Sequence, residues 1–403
     1  MKKLSAAFLS VILIFAFAFS CSAKTVSMEY DATDLNVPLE AVTTAGEIGQ
    51  TLDIKAKSCI LMEVQTGKIL YEDNADEVTA PASITKIMSL VLIMEAISDG
   101  RLTLDTIISA SEHACSMGGS QIWLEPNEEM TVNELLKAAV IASANDATVA
   151  LAEAVAGSEE TFVDEMNKKA KALGMNSTTF INSTGLDAEG HLTTAHDVAV
   201  MSCELIKHEL IKQYSTVWMD SLRGGESELV NTNKLVRFYE GCTGLKTGTT
   251  SKAGYCLSAT AKRNGMELVA VVMDGQTSAD RFEGAKKLLN YGFANYTFSS
   301  LSADLGENTA IPVKNGAESF VSVKAGEKLN ILLKRTQNGK IEQEISLENE
   351  ITAPVKAGQK VGTVKFLLSG EELGSVEIVT EKAVSKLNFL TVFLRLLRSL
   401  FKL

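Results

Sequence analysis

Pro81-Ala82-Ser83-Ile84-Thr85-Lys86 heads an apolar run that continues as Ile87-Met88-Ser89-Leu90-Val91-Leu92-Ile93. In a helix, Ser83 and Lys86 fall one turn apart on one face. Backbone N–H groups at a helix start are unpaired, and the dipole there favours negative charge. A neutral lysine in that place takes a hydroxyl proton and makes the serine a nucleophile. Alone, the string serves an N-cap equally well. S-x-x-K also recurs as Ser399-Leu400-Phe401-Lys402.

Working outward, residues 56–71 read as strand, turn, strand. A helix-rich stretch follows to about Ser215, with helices predicted over 84–97, 132–155 and 159–173. Strands return at 244–248, 255–261 and 268–273, and a helix over 279–291 closes this part. Strands at both sequence ends of a helical middle predict one α/β domain over 44–296, its termini paired in a single sheet. After Tyr296 the composition shifts. Short β-like runs at 320–323, 329–333, 341–345, 361–368 and 375–379 predict a small all-β domain over 297–380. It carries no chemistry-bearing cluster.

The 403 residues suit two to three domains, and a hydrophobic fraction of 46% builds a sizeable core. Lys+Arg 38 against Asp+Glu 50 leaves a net charge of −12. Nucleic acid is thereby excluded as a general partner, because phosphate binding needs a cationic footprint. Four histidines without H-E-x-x-H argue against a zinc peptidase. His191 and His196 lack a third ligand pattern and read as structural, so neither metal nor cofactor is expected. The cysteines are too sparse for a disulfide scaffold. Cys242 and Cys256 flank a hairpin where they could face each other, but free buried thiols are the reading preferred.

Two further strings carry chemistry. Ser143-Ala144-Asn145-Asp146 interrupts an Ala/Val/Leu-rich helix, where polar residues either bond to backbone or serve a site. Lys246-Thr247-Gly248-Thr249 lies on a strand beside Gly244 and Gly254. Glycine on a strand lets a ligand or another backbone come close, and the strand edge could pair with an extended peptide.

Taken together, S-x-x-K, S-x-N and K-T-G in this order are the signature of penicillin-binding proteins and serine β-lactamases. Ser143-Ala144-Asn145 is the sole S-x-N of the chain and Lys246-Thr247-Gly248 the sole K-T-G. Asn182-Ser183-Thr184-Gly185-Leu186, His191 and Thr194-Ala195-His196-Asp197 add a fourth stretch. The chain resembles D-alanyl-D-alanine carboxypeptidases, the low-molecular-mass penicillin-binding proteins of serine peptidase family S11. The resemblance implies a transpeptidase-like domain, with helices flanking an antiparallel sheet. Ser83 would attack the bond between two terminal D-alanines of a peptidoglycan stem peptide, with Lys86 as base. Ser143 would relay a proton, Asn145 would bond the substrate amide, and Lys246 would lower the pKa of Lys86. Lys246, Thr247, Gly248, Thr249 and Arg281 would form the carboxylate-binding side. The N–H groups of Ser83 and Thr249 would make the oxyanion hole, and β-lactams would acylate Ser83. The rivals are a β-lactamase, a D-Ala endopeptidase and a penicillin-binding sensor without turnover. The glutamate string E-x-x-L-N of the best-known lactamases is missing, and the β domain speaks against an endopeptidase.

The two ends address the compartment. Met1-Lys2-Lys3, an apolar run over 6–19 and small residues after it read as a secretory signal over 1–23. Cys21 offers lipidation as an alternative, although Ala18-Phe19-Ser20 fits a lipoprotein box poorly. In the tail, Asn388, Thr391, Arg395, Arg398, Ser399 and Lys402 fall on one polar arc of a helix, and Leu and Phe cover the rest. An amphipathic anchor over 384–403, lying on an anionic membrane surface, is expected. The protein would then work on the outer face of the cytoplasmic membrane, against the cell wall.

Overall fold

Along the strand Ala56–Glu63 (β1), Ile60 and Met62 face one way and Cys59 and Leu61 the other, and all four are buried. A strand buried on both faces belongs to a sheet covered on both sides. The computed structural model describes residues 22–27 and 51–393 apart from 308, 338, 390 and 391. These divide into two units, one of 51–299 with 330–337 and one of 22–27, 300–329 and 339–393. Of the signal reading over 1–23, residues 1–21 lie outside the described residues, and Ser22 and Ala23 begin a strand, Ser22–Ser27.

In the larger unit, β1 is joined by Ile69–Asp73 (β2), Cys242–Thr250 (β3), Gly254–Arg263 (β4) and Met266–Gly275 (β5). The sheet is antiparallel, in the order β2-β1-β5-β4-β3. The sequence termini of the unit therefore pair in one sheet, as their strand patterns predict.

Six helices matter for the site: Lys86–Ser98 (α1), Val132–Lys137 (α2), Asn145–Ala156 (α3), Glu159–Ala172 (α4), Ala195–Ile206 (α5) and Ser278–Asn295 (α6). Ala285, Leu288 and Leu289 of α6 pack against Leu61, Leu257, Leu268 and Val272. On the opposite face, Val269, Val271 and Met273 meet a helical core that includes Ile87 and Val91 of α1 and Val198 and Leu205 of α5. Helix α1 is apolar all round and buried along nearly its whole length, so it runs through the middle of the unit. It carries Lys86 into the interior.

The continuous helix expected over 132–155 is broken. A capping box at Thr131 and Glu134 starts α2, a π-turn follows over Ala138–Ala142, and α3 begins afresh at Asn145. The break falls on Ser143 and Ala144, with Ser143 at φ 64° and Ala144 extended. Good helix formers on both sides hide this from a periodicity reading.

The smaller unit is a seven-stranded sheet in the order Ser22–Ser27, Ile341–Leu347, Lys360–Leu368, Glu371–Thr380, Phe320–Ala325, Ala310–Lys314, Ile351–Thr352. Val321, Val364, Phe366 and Ile378 are buried in its core. Residues 330–337 group with the larger unit instead, where Leu332 joins the core that holds Leu289 and Phe293. The tail helix expected from 384 does not begin there. Val384 bridges Val355 and Lys386 bridges Gly316, because this stretch completes the β unit. Helical backbone is described at Phe389, Val392 and Phe393, with the two phenylalanine rings stacked and exposed. Residues 394–403 lie outside the described residues.

Candidate active site

Ser83 sits in a 3₁₀ turn, Ala82–Thr85, that feeds α1. No side chain caps this turn, so Ser83 is not serving as an N-cap. It is half-buried, between fully buried neighbours. Ala82, just before it, has φ +48°. That left-handed conformation strains a residue with a Cβ, by roughly 1–3 kcal/mol, and such strain persists only where surrounding structure fixes it. Two glycines do the fixing. A Cβ on Gly248 of β3 would lie 3.0 Å from the Pro81 carbonyl oxygen, and one on Gly185 would lie 1.8 Å from that of Ala82. The glycine of the K-T-G string thus admits a neighbouring backbone.

Lys86 is fully buried, and its Nζ has three partners. They are Asn145 Oδ1 at 2.5 Å, the Thr184 carbonyl oxygen at 2.8 Å and Ser83 Oγ at 3.1 Å. Burial, and then the charge of Lys246, hold its pKa well below the ordinary lysine value, against the opposing pull of Asp146. A neutral amine has two N–H groups and one lone pair. The two carbonyl oxygens can only accept. Both N–H groups therefore go to them, and the lone pair is left facing the Ser83 hydroxyl. The geometry makes the serine the one partner that can donate.

Ser143 and Asn145 reach the same place from the broken helix. Ser143 Oγ lies 2.7 Å from Lys246 Nζ, which also donates to the Thr247 carbonyl at 3.1 Å. Burial, and then Arg281, bring the Lys246 pKa down to about 7. Asn145 Nδ2 donates to the Gly118 carbonyl at 2.6 Å, which fixes its oxygen toward Lys86. Asp146 is buried and accepts from the backbone N–H groups of Ile122 and Leu124, each at 3.1 Å. It ties the 118–124 loop to the first turn of α3.

Thr247 Oγ1 donates to Thr232 Oγ1 at 2.7 Å, while Thr249 stands exposed near the end of β3. Arg281 has no ion pair among the described residues and does not cap its own helix. Its Nη1 donates to the Gly248 carbonyl and Thr249 Oγ1, both at 3.0 Å, and to the Cys256 carbonyl at 3.2 Å. Its Nε is buried without a partner. Burial lowers its pKa. The fourth stretch supports the lysine. Asn182 Oδ1 accepts from Gly185 N at 2.7 Å, and Ser89 Oγ donates to the Ser183 carbonyl at 2.6 Å. His191 accepts at Nδ1 from Ile181 N–H, so Nε2 carries the proton and donates to Thr85 Oγ1 at 2.9 Å. Burial depresses its pKa to about 4. No cluster of metal-ligating groups occurs among the described residues. Cys242 pairs across the strands with Ala261 and Cys256 with Gly248, so the two do not face each other, and their thiols are free.

The structure brings Ser83, Lys86, Ser143, Asn145 and Lys246 together, with Thr247, Gly248, Thr249 and Arg281 along the adjoining strand. Sequence reasoning quoted Asp146, Thr184 and Gly185 within its strings but gave them no role, and it missed Thr232. A carbonyl acceptor leaves no side-chain signal, and Thr232 lies in no motif.

The family described as D-alanyl-D-alanine carboxypeptidase, peptidase S11, matches residues 43–277. The chain belongs to this family. The C-terminal domain of penicillin-binding protein 5 matches residues 303–386 of this carboxypeptidase. D-alanyl-D-alanine carboxypeptidase DacF of Bacillus subtilis (strain 168) is 43% identical over 345 residues, 85% of this chain and 89% of that one. Penicillin-binding protein 5 of Haemophilus influenzae superposes with a TM-score of 0.73 at 28% identity, covering 84% of this chain and 99% of that one. Penicillin-binding protein D2 of Listeria monocytogenes, in its ampicillin-bound form, is 33% identical with a TM-score of 0.56, covering 60% of this chain and all of that one.

Proposed function

We propose that the D-Ala-D-Ala carboxypeptidase activity of this family runs here on Ser83. The observation that carries the reading is the contact of buried Lys86 Nζ with Ser83 Oγ at 3.1 Å. Lys86 takes the hydroxyl proton as Oγ attacks the carbonyl carbon of the penultimate D-alanine in a peptidoglycan stem peptide. The N–H groups of Ser83 and Thr249 hold the oxyanion, a kind of contact worth about 3 kcal/mol per donor. The C–N bond breaks and the amine of the last D-alanine takes a proton relayed through Ser143. Water, with Lys86 again as base, then opens the ester and frees Ser83. Asn145 bonds the substrate amide. Lys246, Thr247, Gly248, Thr249 and Arg281 receive the terminal carboxylate. A β-lactam follows the first half of this path and stays on Ser83.

The test is mass spectrometry of the protein with penicillin, paired with D-alanine release from a stem-peptide mimic. The expected result is one adduct, on Ser83, and steady release. An adduct on another serine overturns the assignment. An adduct with no release leaves a penicillin-binding sensor.

The setting is the outer face of the cytoplasmic membrane, reached through the signal over 1–23 and held by the tail. Arg395, Arg398 and Lys402 on one arc support the anchor. Phe389, Val392 and Phe393 expose apolar surface at its start. No helix among the described residues is long and apolar enough to cross a membrane. Deletion after Leu387 spares the β-bridges at Val384 and Lys386 and is expected to release the protein from anionic vesicles with turnover intact. Undiminished vesicle binding would overturn the anchor.

A further inference from the structure

Helix α4 begins at Glu159, and Ser158 caps it by accepting from Thr161 N. None of the hydrogen bonds described for the Glu159 carboxylate runs within that helix. One oxygen, Oε1, accepts from the Ser183 N–H at 2.9 Å and from Ser183 Oγ at 2.6 Å. The other, Oε2, lies 2.8 Å from His113 Nε2. A carboxylate oxygen only accepts, so His113 carries a proton at Nε2 and donates it. Burial pushes the Glu159 pKa up, but the bonds from Ser183 and His113 outweigh burial and hold it below the ordinary glutamate value.

The two partners lead to the two carbonyl oxygens that hold Lys86. Ser183 is fully buried, and the next residue, Thr184, offers its carbonyl to Lys86 Nζ at 2.8 Å. His113 lies on the one-turn helix Glu112–Cys115. Its carbonyl accepts from Ser116 Oγ at 2.7 Å and from Ser116 N at 3.1 Å. Just beyond, the Gly118 carbonyl accepts from Asn145 Nδ2, which aims Asn145 Oδ1 at Lys86. The carboxylate thus ties together two segments far apart in sequence, each of which leads to one N–H of Lys86. Helix α4 is a firm base for it, with Phe162 and Met166 fully buried. The charges that shift the Lys86 pKa are those of Lys246 and Asp146, so Glu159 acts on Lys86 through position rather than charge.

We propose that Glu159 is a positioning residue for Lys86. It holds the Thr184 carbonyl through Ser183, and the contact between Gly118 and Asn145 through His113. Both amine hydrogens of Lys86 stay engaged, and the lone pair stays on Ser83. The inference rests on Ser83 as nucleophile with Lys86 as its base, and adds the clamp that orients the base.

Penicillin acylation, measured as a rate constant per titrated site, tests it beside kcat and KM for a stem-peptide mimic. Glu159→Ala is expected to slow acylation and lower kcat by about 10- to 10²-fold, with KM within about two-fold of wild type, as a misplaced catalytic group does. Glu159→Gln keeps an oxygen for Ser183, and His113 can move its proton to Nδ1 and accept from the amide. This variant is expected to recover all but about three-fold of the loss. Ser183→Ala removes one donor and leaves the N–H, a milder change expected to slow acylation by about three- to ten-fold. A merely structural clamp would lower the melting temperature and the fraction of titratable sites, yet leave the rate constant per site at the wild-type value. That result in Glu159→Ala overturns the proposal, and so does the same result in Ser183→Ala if the first variant fails to fold. A glutamine variant as slow as the alanine one also overturns it, because the effect would then lie in the charge. A rise in KM at unchanged kcat overturns it as well, since Glu159 would then serve substrate binding. Failure of the Ser83 reading shows in the wild type before any variant is compared, as an adduct on another serine or no release of D-alanine.

Discussion

The floor of the site and the strand beside it hold the same chemical pair, a buried lysine next to a serine hydroxyl. On the floor, Lys86 Nζ lies 3.1 Å from Ser83 Oγ; at the strand, Lys246 Nζ lies 2.7 Å from Ser143 Oγ. On the proposed reading, the shorter contact is not the nucleophilic one. Ser83 is half-buried on a strained turn whose backbone N–H can face a developing oxyanion, whereas Ser143 is only 4% exposed. Lys86 has both N–H groups taken by carbonyl oxygens. Lys246, when charged, has one carbonyl partner besides the serine and keeps one donor for an incoming carboxylate. In the proposed mechanism, what would separate base from carboxylate holder is the set of acceptors around each nitrogen, since both lysines are buried.

The comparison breaks most sharply at the serines. Ser83→Ala is expected to abolish the penicillin adduct and lower kcat by at least about 10⁴-fold, as removal of a nucleophile does. Ser143→Ala is expected to keep the adduct and lose about 10²–10³-fold in kcat, the range of a proton-transfer group. Equal losses in both variants, with adducts gone from both, would show that the two pairs act as one unit.

The pH profile comes next. Lys86 must be neutral, so activity is lost as pH falls through its depressed pKa. Lys246 must be charged to hold a carboxylate, so kcat/KM in the free enzyme falls as pH rises past about 7. Lys246→Met removes the second cause of the Lys86 depression, and the Lys86 pKa rises. The acid limb of kcat/KM is therefore expected to move to higher pH and the alkaline limb to vanish, with a loss near pH 7 of roughly 10²-fold. An acid limb that stays in place would mean that burial alone tunes Lys86.

The order of the three strings and the strand patterns around them carried the fold and the five residues that the structure brings together, because side-chain chemistry and period-two burial are written in residue types. What escaped was backbone. Nothing in an Ala-rich run announces that Ser143 turns left-handed and splits the 132–155 helix, since the turn is fixed by contacts from other segments. The Thr184 carbonyl has no sequence signature, yet it occupies one of the two N–H groups of Lys86. Arg281 shows the opposite case. The resemblance alone put it on the carboxylate-binding side, and only the fold turns it onto Gly248 and Cys256. The tail misled from 384 to 387 because an apolar-polar alternation suits a β-bridge as well as a helix end.

The smallest effect lies in the support of the strand. Thr232 accepts from Thr247 Oγ1 at 2.7 Å and touches neither lysine in any described hydrogen bond. Thr232→Val keeps the volume and removes the acceptor, which leaves the Thr247 hydroxyl free to turn elsewhere. A neutral hydrogen bond contributes about 0.5–1.5 kcal/mol, so a two- to ten-fold rise in KM is expected, with kcat and the penicillin acylation rate close to wild type. A fall in kcat at unchanged KM would put Thr232 on the side of the chemistry. It would also mean that Thr247 steers Lys246 during proton transfer, which would dissolve the separation between the floor and the strand.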